Sequence, residues 1–128
     1  MNYKPLFLFL LISICSCEKN PFDYRTRYIG DYTFSVHFSR SAGVYPNVSW
    51  FDTSYTSEGR IDYGHSETTI RIDLKSADSW NFPELYEDGT IEGNGWSGEF
   101  VSYDKIKIEH VYFRPSGVSV TTVEGTKK

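Results

Sequence analysis

The sequence predicts an all-β protein: an antiparallel meander of about seven or eight strands, closed as a barrel or stacked as a sandwich. Three observations predict it. Aromatic residues make up 17% of the chain, with ten Tyr, nine Phe and three Trp, and such residues fit pleated, half-buried surfaces. Several stretches alternate apolar and polar residues with a period of two. Turn-forming residues recur about every ten positions, and outside the leader no long run of helix formers interrupts them.

The leader comes first. Lys4 gives a cationic start, and "LFLFLLISI" (residues 6–14) is apolar except for Ser13. As a helix this run rises roughly 13 Å, short of the about 20 apolar residues that span a bilayer. A positive start, a short apolar core and small residues after it describe a secretory signal peptide, residues 1–16. "ICSC" follows, with the only two cysteines of the chain, Cys15 and Cys17. Two cysteines one residue apart are poorly placed to bridge each other, and no other metal ligands lie nearby. The stretch resembles the lipobox of bacterial lipoproteins. Ile14 takes the aliphatic slot, Cys15 and Ser16 the two small slots, and Cys17 the acceptor position. The resemblance implies lipidation of the Cys17 sulfur, cleavage before it, and a lipid anchor in the bacterial envelope, at the outer membrane. More than one acyl chain makes such an anchor firm.

Residues 17–28 are polar and aperiodic, and read as a tether below a domain at residues 29–128. "YIGDYTFSVHFS" then alternates, with Tyr32, Phe34, Val36 and Phe38 on one face. "RSAGVYPNV" reads as a loop by its Gly, Pro and Asn. The stretch from Ser49 has no face apolar throughout. It predicts an exposed or edge strand, a turn at Glu58-Gly59, and a short strand through Ile61 and Tyr63. "TTIRIDLKS" places Ile70, Ile72 and Leu74 inward and Arg71, Asp73 and Lys75 outward. Asp88-Gly89 is a hairpin signal, and Gly93, Gly95 and Gly98 point to bulges or close backbone approach. "DKIKIEHVYF" sets Ile106, Ile108, His110 and Tyr112 on one face. "RPSG" turns the chain into a last strand, where Thr121-Thr122 marks a bulge.

"GDY" (residues 30–32) and the closing "VEGTKK" (residues 123–128) resemble the ends of small lipocalin-like lipoproteins of Bacteroidota envelopes. Tyr32 stands where the Gly-x-Trp opening of lipocalin-like barrels has tryptophan. The resemblance implies an antiparallel barrel and ligand or partner binding, and carries no catalytic residue over.

The residues offer little chemistry. The formal net charge of −4 and the lack of a basic stripe argue against nucleic-acid binding. His37, His65 and His110 lack metal-pair spacing, and no cofactor motif or nucleophile elbow occurs. The acids Asp73, Asp78, Glu84, Glu87, Asp88, Glu92 and Glu99 read as solvated loop charges. "EDGTIEGNG" lacks the alternate acids and distal Glu of a calcium loop. Trp80 and Trp96 fall in loop-like context, where their faces could meet a ligand or plug the barrel ends. The functional expectation is a non-enzymatic, lipid-anchored binding module for a small apolar ligand or a glycan, with Trp80 and Trp96 as its site. The competing expectation is an accessory or inhibitor module that binds another envelope protein through its outer surface.

Overall fold

The computed structural model of the protein describes residues 22–75 and 79–128, with backbone only for residues 79–82. Eight strands follow in order: β1 (Gly30–Val44), β2 (Asn47–Tyr63), β3 (Thr69–Leu74), β4 (Ser79–Leu85), β5 (Thr90–Gly93), β6 (Trp96–Ser102), β7 (Lys105–Arg114) and β8 (Gly117–Lys127). Each pairs antiparallel with the next, and β8 returns to pair with β1, closing one barrel. A single closed sheet sets the sandwich alternative aside.

The alternation read from the sequence becomes the barrel wall. Tyr32, Phe34 and Val36 of β1, Ile70, Ile72 and Leu74 of β3, and Ile106 and Ile108 of β7 are buried together with Ile61, Leu85, Ile91, Phe100 and Val123. Phe34 shows how completely this interior is filled. Its ring lies between Gly59 on β2 and Gly125 on β8. A β-carbon at Gly59 would come within 2.8 Å of the ring, and one at Gly125 within 2.7 Å. The two glycines are small because the ring occupies the space their side chains would need.

Gly59 therefore corrects one expectation. Glu58-Gly59 is no turn: β2 runs unbroken from Asn47 to Tyr63. The stretch expected to be a loop at residues 40–48 is likewise mostly strand, and only Tyr45 and Pro46 separate β1 from β2. The bulge expected at Thr121-Thr122 is absent, since both residues pair in register with Phe38 and His37. Asp88-Gly89 does turn the chain, with Asp88 Oδ1 accepting from the Thr90 amide at 2.9 Å. Gly93 ends β5 and Gly95 lies in the turn that follows, so neither is a bulge. Asn94 and Gly95 both take positive φ, as a two-residue Asn-Gly hairpin requires. Gly98 is a close-approach glycine, since a β-carbon there would meet the Lys107 carbonyl.

The tether is also corrected from Asp23 onward. Residues 24–27 form one 3₁₀ turn capped by Asp23, and this turn latches one end of the barrel. The Arg25 guanidinium is buried. Its Nη1 donates to the carbonyls of Ser66 and Thr69 at 2.7 and 2.8 Å, and its Nη2 to Asp23 at 2.6 Å. The hydrogen bond from Arg25 holds the Asp23 carboxyl below the usual carboxylate range. Tyr24 donates to the Leu85 carbonyl at 2.5 Å, and Tyr28 stacks on Phe100 with centroids 4.0 Å apart. A buried guanidinium so fully bonded is structural.

Candidate functional site

The other end is built differently. β3 pairs with β2 only over Gly59–Tyr63, and β6 reaches β7 only as far as His110. Beyond those points four strands continue alone, in the order β2-β1-β8-β7. They form a ribbon that projects from the barrel, with the hairpin tips at Tyr45-Pro46 and Pro115-Ser116. Residues 47–56 of β2 are exposed throughout.

The register is regular, so the inward phase of the barrel can be followed onto the ribbon. Directly opposed residues share a face. Val36 stands between Tyr55 and Val123, and Phe38 between Thr53 and Thr121, with His110 beyond Thr121. The next row reads Phe51, Arg40, Ser119, Tyr112 across the four strands. Beyond it lie Ser49 and Ala42 on β2 and β1, and Gly117 and Arg114 on β8 and β7. This face thus alternates aromatic rings with hydroxyls and carries two arginines. Phe51 is 59% and Tyr112 56% exposed, which is unusual for rings of this size. The opposite face bears Trp50, Val48, Val118 and Phe113, together with Asp52 and Glu109.

Two hydroxyls organise the ribbon. Ser41 accepts from the Val118 amide at 2.9 Å, joining β1 to β8 where the backbone ladder stops. Ser119 accepts from Arg114 Nη2 at 2.5 Å. Arg114 Nε is shielded from solvent and has no acceptor. Among the described residues neither Arg40 nor Arg114 meets a carboxylate.

Cys17 lies outside the described residues. Trp80 stands on β4 opposite Ile72 rather than in a loop, and its side chain lies outside the described residues. Trp96 opens β6, is 8% exposed, and packs on His110 with centroids 4.7 Å apart. Its ring belongs to the upper rim of the core. His37 lies on the outer face, with Nδ1 2.7 Å from Ser54 Oγ. Asp73 pairs with Arg71 at 2.8 Å, and Asp78 lies outside the described residues. Among the described residues no three His, Cys, Asp or Glu side chains gather as a metal site would require.

The surface hollows are less coherent than the ribbon. A hollow of about 660 Å³ beside the latch is lined by Asp23, Arg25, Asp62 and Arg71, among others. Its charges are largely spoken for, by Arg25 on Asp23 and by Asp73 on Arg71. A second, of about 380 Å³, lies between β6 and β7 around Gly98 and Lys107.

The residues that sequence reasoning missed are Arg40, Phe51, Tyr55, Tyr112 as a surface ring, and Arg114. The signal was present. Carrying the Tyr32–Phe38 phase two residues on reaches Arg40, and carrying the Ile106–Tyr112 phase two residues on reaches Arg114.

No family model and no curated protein matches the chain. Among solved structures, the crystal structure of ywiB protein from Bacillus subtilis matches at 9% identity and a TM-score of 0.34, covering 81% of this chain and 98% of that one. A likeness so loose says nothing about function.

Proposed function

We propose that the chain is a lipid-anchored, non-enzymatic binding protein of the bacterial outer membrane, and that its ribbon binds a glycan. The observation that carries this reading is the inward-phase face of the ribbon, where Phe38, Phe51, Tyr55 and Tyr112 alternate with Ser49, Thr53 and Thr121. Aromatic faces give a sugar ring apolar contact, and hydroxyls both donate to and accept from its alcohols. The packed interior around Phe34 favours an open face over a ligand held inside the barrel. The apolar run at residues 6–14 followed by Cys17 supports the anchor.

A glycan array probed with the full chain tests the reading. Binding should be lost in the Phe51→Ala/Tyr112→Ala variant while its melting temperature is kept. No binding to any glycan would refute it. The anchor has its own test: Cys17→Ala should abolish labelling by a fatty-acid probe, and loss of label in Cys15→Ala alone would mean the other sulfur is the acceptor. A second reading, an envelope protein as partner, rests on the opposite face, where Trp50 and Phe113 are 63% and 78% exposed.

A further inference from the structure

The arginines of the ribbon say which glycan. Arg40 on β1 is directly opposite Ser119 on β8, and Arg114 on β7 donates to the same Ser119 hydroxyl at 2.5 Å. The two arginines therefore share one face: Arg114 through its bond to Ser119, Arg40 through its place opposite Ser119 on the neighbouring strand. Like charges held together repel unless an anion lies near them. The face supplies none. Following the register from Tyr55 to Asn47, Phe38 to Val44, His110 to Arg114 and Gly117 to Thr121, the inward phase contains no Asp or Glu. The acids of these strands, Asp31, Asp52, Glu58, Asp62, Glu109 and Glu124, all fall in the opposite phase. In a chain of net charge −4, this is a locally cationic face.

Arg114 adds an independent sign. Its Nε is shielded from solvent without an acceptor, while Ser119 fixes the guanidinium by Nη2. Arg114 as a whole is only half-buried, so its guanidinium is not sealed inside the protein. A guanidinium presents its N–H groups as a fork that matches a carboxylate. Phe51 and Tyr112 stand at either end of the same row, three strand spacings apart, or roughly 14 Å. That leaves a ring for a sugar face on each side of the cationic centre.

Resting on the reading of the ribbon as a glycan-binding face, we infer that the ligand is an acidic saccharide. Its carboxylate or sulfate sits over Arg40, Ser119 and Arg114, and its sugar rings stack on Phe51 and Tyr112. Two cations and a short row do not suit a nucleic-acid backbone, which needs a longer track of positive charge.

The test pairs acidic oligosaccharides (uronate, sulfated and sialylated) with their esterified or unsubstituted neutral counterparts, titrated into the full chain by calorimetry. At least one acidic form should bind about tenfold or more tightly than its neutral partner, and the preference should shrink as salt rises. Arg40→Ala, at an exposed position, should remove about tenfold of the acidic affinity and narrow the preference for the acidic over the neutral form. Arg114→Lys should do the same while keeping the charge, because the fork is lost. The Arg114 Nε–H resonance should move on adding the acidic form. Equal binding of acidic and neutral forms, insensitive to both substitutions, would overturn the acidic specificity and leave the glycan reading standing. No binding by any saccharide would overturn both, as would binding confined to anionic phospholipid vesicles.

Discussion

Strands β1 and β2 each take part in two regions that behave unlike one another. Over residues 32–36, β1 buries Tyr32, Phe34 and Val36 completely or nearly so. Over residues 40–44 the same phase of the same strand leaves Arg40 and Val44 exposed. The alternation continues, and the hydrogen-bonded register with β2 does not slip. What changes is the number of strands. Eight strands ring the lower region, so each inward side chain meets the opposite wall. Four strands make the ribbon, and its inward phase meets no wall. Alternation in a strand thus selects a face, while burial of that face depends on what closes over it.

The largest effect that separates the regions is expected from a matched pair of phenylalanines. Phe34→Ala should cost about 3–5 kcal/mol, since the ring fills the barrel between two glycines. Phe51→Ala should cost less than about 0.5 kcal/mol. Urea denaturation of both variants measures this, and comparable costs would make the ribbon a second core. Next come the two clearest strands. Ile72→Ala and Ile108→Ala should each cost about 2–5 kcal/mol. Arg71→Ala and Lys107→Ala should cost well under about 1 kcal/mol, because their partners Asp73 and Glu124 lie at the surface with them. Equal costs on both phases would refute the assigned registers.

Smaller effects sharpen the picture. Gly125→Ala should destabilise by about 1–3 kcal/mol through overpacking against Phe34 and Ile106, and the double variant Gly125→Ala/Phe34→Leu should recover part of the loss. Additive costs in that double variant would show that the ring does not set the glycine. The smallest effect concerns the latch. The carboxyl of Asp23 is depressed by its hydrogen bond from Arg25. Its contribution is therefore present above the unfolded value of about 3.9 and is lost as pH falls through the lower folded value. Asp23→Asn should lower the urea midpoint at neutral pH and flatten its fall below about pH 4. An unchanged acid profile would mean that the Asp23–Arg25 pair adds nothing to stability.

Much of the barrel is legible in the sequence. Ile70, Ile72, Leu74, Ile106 and Ile108 declare their phase because charged residues alternate with them, and Asp88-Gly89 declares its turn by residue type. The ribbon was not legible, for a physical reason. Gly43, Pro46 and Asn47 punctuate the chain strongly enough to read as a loop, yet β1 and β2 need only two residues to reverse. Gly59 misled in the same way, since a glycine that makes room for Phe34 looks like a glycine that turns. The latch was hidden because Arg25 is charged, and nothing local shows that Ser66 and Thr69 wait for it. Arg40 and Arg114 were hidden by the false loop and by the turn to which they were assigned.

The pairing of β1 with β8 carries a kinetic consequence. Tyr32 meets Lys127, and Arg40 meets Ser119, so nearly all of the described chain must be available before this seam can form. Contacts this remote in sequence bring no return until a long loop has closed, and folds dominated by them are slow, in the range of milliseconds to seconds. Until then β1 has one free side, next to the exposed rings of the ribbon. A chain in that state that meets other copies has β1 open to the wrong strand. The step that completes the barrel is thus also the step that ends its exposure to misassembly.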